Sequence, residues 1–499
     1  LLNDLQSMSK IPLLVAANCD SGGNGACSEG TYIASGAQAE AAGDLQVSYH
    51  AGLVSAREEK ALGVNVNFDP CVDILYNWRN TIVNTRAYGT DAETVIKYTN
   101  AYLDGLTAEN GENMEDGVIQ CIKHFPGDGT EERDQHLVLG VNELSPEEWR
   151  ASFGKVYQNH IDRGVEMIMA GHIAVPALQK ELNPALEDKD IMPATLAEEL
   201  IQDALKTELG FNGLVITDAT HMLGMTSAMR REDYVPKSIA AGCDMFLFFN
   251  NIEEDFGFML KGYQNGVITE ERLTDALRRI LGLKAKLHLP EKQANGTLLR
   301  TREDLNVIGC EEHLQWRAEA ADKGISLIKD TQNNLPINPV DHKRIRLYML
   351  EGEKGGITDN GSKAQQLFVD ELTKRGYEVT VNERGSRVKG ATLKYRDEVD
   401  FALEVADIAG YGAQNNYRIQ WSTAMANEVP WFVWEVPHAF VSLNFTTHLH
   451  DATMVKTFVN AYHNNEETIK QVIDKLEGKS EFKGGHNDLV WTDKWQAKL

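Results

Sequence analysis

The feature that most constrains this chain is an alternation, repeated through its first half, of short β-rich apolar runs with longer amphipathic helical stretches. The runs are Pro12–Ala16, Gly63–Phe68, Val118–Lys123, Met167–Ala170, Leu214–Thr217 and Met245–Phe249, and helices such as Ala92–Thr107 and Pro146–Arg163 lie between them. Strand and helix alternating at this spacing predict a parallel sheet, and six or more such units favour a (β/α)8 TIM-like barrel over an open sheet. Ser145-Pro-Glu-Glu148 reads as a capping box with proline at the first helical position. A barrel needs eight strands, yet only a helix tail, Leu1–Ser9, precedes the run at Pro12. The expectation is that a first strand and most of a first helix belong upstream of residue 1.

The barrel pattern closes with a helix over Glu270–Lys286, started by Thr269 as N-cap. Residues 1–290 are thus read as a barrel and 291–310 as a polar connector. Residues 311–499 read as a smaller α/β sandwich domain. Its signals are a helix through Ala318–Gly324, a strand pair Ile325–Lys329 and Ile345–Leu350, and a helix Lys363–Arg375. Strands at Glu378–Val381 and Trp431–Trp434 follow, then a helix Glu467–Leu476 capped by Gly478. At 499 residues the chain is long enough for two or three domains.

A net charge of -25 argues against nucleic acid and against an anionic membrane surface, since both need basic patches. No apolar run approaches the roughly 20 residues of a membrane span. The six cysteines show no metal-ligand spacing, so they read as free thiols in a reducing cytosol. The location expected is cytoplasmic, with an upstream export signal left open. No cofactor and no metal is called for.

In a barrel of this kind the chemistry sits where strands end and the following loops begin. The richest such place is Lys123-His124-Phe-Pro-Gly-Asp-Gly-Thr-Glu-Glu-Arg-Asp134-Gln-His136. Lys123 and His124 suit donation of hydrogen bonds to ligand hydroxyls. Asp134 and His136 flank one residue, and an extended segment would project both to the same side. A carboxylate on one imidazole nitrogen sets the tautomer and raises the basicity of the other, which makes a proton-transfer pair. The run Leu214–Thr217 ends in Asp218, and a carboxylate closing a buried strand needs a task or a cation. Capping of the next helix is its bland alternative. Arg86 in Asn84-Thr-Arg-Ala-Tyr-Gly89 offers a fork of donors. His172 follows the run Met167–Ala170, and Asn18 and Asp20 precede the glycine pair Gly22-Gly23; with Arg86 they ring one face of the barrel and are read as substrate-binding residues. A metal set of His124, Asp128, Asp134 and His136 matches no standard ligand spacing.

KHFPGDG followed by Asp-Gln-His, and then GLVITD, resembles glycoside hydrolase family 3, within it the β-N-acetylglucosaminidase branch. IPLLVAAN (11–18), LGVNVNFDPCVDI (62–74), NTRAYG (84–89) and AGCDMFLF (241–248) support the resemblance. ISLIKD (325–330) and GKSEFKG (478–484) carry it more weakly into the second half. It implies a retaining double displacement with Asp218 as nucleophile and Asp134–His136 as acid/base dyad. Lys123, His124 and Arg86 then fall on positions that bind the non-reducing sugar. The implied substrate is a carbohydrate ending in N-acetylglucosamine, with phosphate as an alternative acceptor. A β-glucosidase, a glycoside phosphorylase and an inactive sugar-binding barrel stay open. The chain departs from the family pattern at Asn18, where an aspartate is usual, and at Asp20-Ser21-Gly22-Gly23, where Glu-Gly-Gly is usual.

Overall fold

The computed structural model describes residues 1–499 apart from 116, 353–361, 389 and 410–416. The chain forms two compact units, one of residues 1–36 and 48–314, the other of residues 37–47 and 315–499.

The first unit is built on a curled, all-parallel sheet of β1 (Ala16–Ala17), β2 (Val66–Asn67), β3 (Ile119–Phe125), β5 (Met167–Ala170) and β7 (Leu214–Thr217), in that spatial order. Alternate residues of these strands, among them Ile119, Cys121, Met167, Met169, Leu214 and Ile216, form one apolar core. The intervening Ile168 and Val215 are just as buried, as expected of a parallel sheet covered on both faces. A short ladder of β4 (Gly140–Val141) with β6 (Ile173–Ala174) lies beside it. The helices Ala92–Thr107 and Glu270–Lys286 fall where the periodicity puts them, and Thr269 caps the second by accepting from Arg272 N–H at 3.1 Å. Both bonds of the Ser145–Glu148 capping box form, and the helix they start passes through a π segment, Arg150–Gly154, before Lys155–Asp162.

The first two strands are shorter than the apolar runs read there, and β1 reaches one residue past its run. The Gln6 side chain bonds both backbone groups of Leu13, and Asn65 Oδ1 takes Val15 N–H, so side chains replace ladder bonds there. The run Met245–Phe249 is not a strand. It makes one bridge, Ile216 to Met245, and Thr217 Oγ1 takes the Leu247 N–H that a ladder would use. The stretch read as a connector opens in a helix, Leu289–Asn295.

The second unit carries a six-stranded sheet of β8 (Ser326–Asp330), β9 (Arg344–Glu351), β10 (Glu378–Val381), β11 (Phe401–Asp407), β12 (His438–Ser442) and β13 (Thr457–Asn460). The spatial order is β10-β9-β11-β12-β13-β8, parallel except for β8. Helices Ala364–Lys374 and Glu466–Leu476 cover one face through Phe368, Leu372, Ile469 and Ile473. The expected strand pair β8 and β9 is therefore not a pair, because β8 lies at the far edge beside β13. Trp431–Trp434 is a turn in which Trp431 packs on Tyr395 and Phe432 stacks on Tyr348, so its apolar character serves aromatic packing rather than a ladder. No described helix is long and apolar enough to cross a membrane.

Candidate active site

The strand ends of the first unit converge at their carboxyl side. The loop after β3 owes its path to two glycines at positive φ. A Cβ on Gly127 would come 2.1 Å from the Phe153 ring, and one on Gly129 would come 2.0 Å from the Ile74 carbonyl. Asp134 in this loop is buried, and its Oδ1 accepts from His136 Nδ1 at 2.7 Å. The segment is not extended as expected. Leu137 N–H returns to Asp134 O at 2.9 Å, and Asp134 Oδ1 also takes the His136 backbone N–H at 2.8 Å. The two side chains meet through this Asx turn rather than by alternation along a strand. The His136 side chain keeps 35% of its surface exposed, which leaves the imidazole open to a ligand.

Asp218 follows β7 directly. Its backbone N–H is tied to Ala170 O at 2.8 Å, and its Oδ1 accepts from Ala219 N–H at 2.7 Å. Burial alone would raise its pKa, but His124 foremost and the Ala219 N–H outweigh burial and hold it below the ordinary carboxylate value.

A third group sits at the ends of β1, β2 and β3. Lys123, 1% exposed, places Nζ 2.7 Å from Asp69 Oδ1, 2.9 Å from Asn18 Oδ1 and 3.7 Å from Asp20 Oδ1. Arg86 Nε reaches Asp20 Oδ2 at 3.2 Å. Burial and the adjacent Asp20 carboxylate push Asp69 up. At Asp20, Arg86 and Lys123 outweigh burial and hold it low, so the two neighbouring carboxyls are pushed in opposite directions. His124 Nδ1 bonds Asp73 Oδ2 at 2.7 Å, and Asp73 Oδ1 accepts from Asp128 N–H at 2.7 Å. Burial and Asp73 together raise Asp128 to about 8.

Asp218 lies within electrostatic reach of His124, His172 and His136, with Asp134 behind His136. Asn18, Asp20, Arg86 and Lys123 form a second polar cluster, and His172 is committed to protein partners. It is fully buried, and its two ring nitrogens bond Thr195 Oγ1 at 3.0 Å and Ala219 O at 2.9 Å, which leaves none for a ligand. Two residues that sequence reasoning passed over complete the site, Asp69 beside Lys123 and Asp73 beside His124. Both lie in LGVNVNFDPCVDI just past a buried strand, the same signal that singled out Asp218. Among the described residues, the group whose atoms could share a metal ion is Cys71, Asp73 and His124, within 4.8 Å of one another, rather than His124, Asp128, Asp134 and His136. Its members are hydrogen-bonded among themselves, Cys71 Sγ donating to Asp73 Oδ2 at 3.1 Å.

Residues 2–283 match the glycosyl hydrolase family 3 N terminal domain. The β-N-acetylglucosaminidase/β-glucosidase of Cellulomonas fimi is 39% identical, over 99% of this chain and 86% of that protein. β-Hexosaminidase A of Pseudoalteromonas piscicida is 27% identical, over 65% of this chain and 55% of that protein. A β-glucoside phosphorylase solved with bound 2FGlc superposes with a TM-score of 0.91 at 39% identity, over 97% of this chain and 85% of that one. A family 3 β-N-acetylglucosaminidase from Paenibacillus sp. str. FPU-7 shares the fold, with a TM-score of 0.76 at 21% identity over 95% of this chain and 86% of that one. With a family match over more than half its length and a relative this similar end to end, the chain belongs to glycosyl hydrolase family 3 and is a glycoside hydrolase.

Proposed function

We propose that this enzyme releases terminal β-linked N-acetylglucosamine by a retaining double displacement. Asp218 attacks the anomeric carbon as the bond to the leaving oxygen breaks, and His136, backed by Asp134, gives that oxygen its proton. In the second step His136 takes a proton from water, whose oxygen displaces Asp218 from the sugar. An oxocarbenium-like transition state calls for this pairing of a carboxylate on one face with a proton donor on the other. Arg86, Asp20, Asn18, Lys123 and His124 bind the sugar hydroxyls, and His172 acts through the backbone instead. On this reading residues 1–290 carry the chemistry, 291–310 connect, and 311–499 form the sandwich domain. The observation that carries it is the 2.7 Å bond between Asp134 and His136.

A second reading, phosphorolysis and action on β-glucosides, is favoured by the names of the two relatives at 39% identity. It is also chemically consistent, because an imidazole base, unlike a carboxylate, does not repel an incoming anion. The test is release of p-nitrophenol from its N-acetyl-β-glucosaminide and its β-glucoside, each with and without phosphate. Preferential turnover of the first in plain buffer supports hydrolysis of N-acetylglucosaminides. Acceleration by phosphate with formation of a sugar 1-phosphate selects the second reading, and preference for the glucoside overturns the sugar assignment.

A further inference from the structure

The dyad loop and the segment behind Asp218 are joined by hydrogen bonds that the chemistry above does not use. Gln135 stands between the dyad residues, yet it is 1% exposed. Its Oε1 accepts from His172 N–H at 2.7 Å. Its carbonyl accepts from Gly224 N–H at 3.1 Å, and the His136 carbonyl accepts from Leu223 N–H at 3.0 Å. His172 Nε2 lies 2.9 Å from Ala219 O. A carbonyl only accepts, so Nε2 carries the proton and Nδ1 accepts from Thr195 Oγ1. Burial favours this neutral imidazole by lowering the His172 pKa. The N–H of the same Ala219 donates to Asp218 Oδ1. A continuous run thus links His136 to Asp218 through Gln135, His172 and Ala219. Two glycines make room for it. A Cβ on Gly171 would come 3.2 Å from both Gln135 Oε1 and His124 Cβ, and one on Gly224 would come 2.8 Å from Gln135 O and from His172 Cβ.

We propose that Gln135 and His172 are positioning residues that set His136 against Asp218, so that proton donation and nucleophilic attack act on the same glycosidic bond. The proposal rests on the roles given above to Asp218 and the dyad. Both displacement steps use the same two groups, and a misplacement of about 1 Å can cost on the order of 100-fold.

Gln135→Met removes the acceptor at nearly constant volume, and Gln135→Glu keeps it. The readout is kcat/KM along a series of aryl glycosides, from dinitrophenyl, which leaves without a proton, to phenyl, which needs one. The Met variant is expected to lose about tenfold or more on the phenyl glycoside and less than about twofold on the dinitrophenyl one, with the Glu variant recovering most of the loss. Should the Met variant not fold, Gln135→Asn, one methylene too short to reach His172 N–H, is expected to give the same steepening. An equal loss on both substrates, or no loss on either, overturns the positioning role. His136→Ala separates the two levels. If it leaves the leaving-group dependence flat, the dyad reading itself fails; if it steepens the dependence and Gln135→Met does not, only the positioning role is lost.

Discussion

Asp134 Oδ1 holds His136 twice, by the ring Nδ1 at 2.7 Å and by the backbone N–H at 2.8 Å. One buried oxygen therefore sets both the tautomer of the imidazole and the turn that carries it, leaving Nε2 as the proton-transfer atom. Asp134→Ala removes both restraints. Its turnover of the phenyl glycoside is expected to fall by about 100-fold or more, with KM changed far less. Steady-state kinetics checks this, and a variant with unaltered kcat would remove the dyad from the mechanism.

Asp218 should carry the covalent intermediate. After reaction with a slow, activated 2-fluoro glycoside, mass spectrometry is expected to find the added sugar on the peptide that contains Asp218. Asp218→Ala should show neither the label nor turnover above background. Labelling at another residue would reassign the nucleophile.

The pH response of Asp218 follows from its surroundings. Burial pushes its pKa up, but His124 and the neighbouring donors win and depress it. A depressed carboxylate stabilises the fold above its unfolded pKa, and that contribution is lost as pH falls through the folded value. The acid limb of kcat/KM should accordingly lie below the ordinary carboxylate range. In His124→Asn the largest opposing charge is gone, so the limb should move to higher pH. An unmoved limb would show that another group titrates there.

Glu59 behaves in the opposite sense. It is fully buried, both its oxygens face Asn67 Nδ2 at 3.0 Å, and burial raises its pKa to about 8. A raised carboxyl pKa means the fold prefers the protonated form, so its contribution is intact below the unfolded pKa and is lost as pH rises towards 8. Glu59→Gln, a shape match for the protonated acid, is expected to gain in thermal midpoint over the parent between pH 5 and pH 8.5. A difference that stays constant over that range would count against burial as the cause.

Ser145 closes its capping box with bonds to and from Glu148. Ser145→Ala leaves a donor at the helix start unsatisfied, and a loss of about 1 kcal/mol in denaturant unfolding is expected.

Helices with a strong 3.6-residue pattern and marked caps were legible to the residue, as at Ala92–Thr107 and Glu270–Lys286, because period and cap are local properties. Strands were legible where the ladder uses only backbone, as at Met167–Ala170 and Leu214–Thr217. They were misread where a side chain took the place of a ladder partner, as Thr217 does for Leu247 and Gln6 for Leu13. The strand Phe401–Asp407 was missed because Glu404, a buried carboxyl in its middle, breaks the apolar signature. His172 was read as a ligand group because a polar residue after a buried strand looks the same whether it faces a ligand or the Ala219 carbonyl.

The sequence by itself determined the alternation of strands and helices, and with it the loops where chemistry had to lie, because side-chain period and strand-end carboxylates are written in neighbouring residues. Only the tertiary structure decided which of those groups meet. Asp73 lies 51 positions from His124 and Gln135 lies 37 from His172. Such partners are chosen by which strands stand side by side and how the sheet curls. That curl comes from packing summed over the whole core, and no local stretch of the chain encodes it.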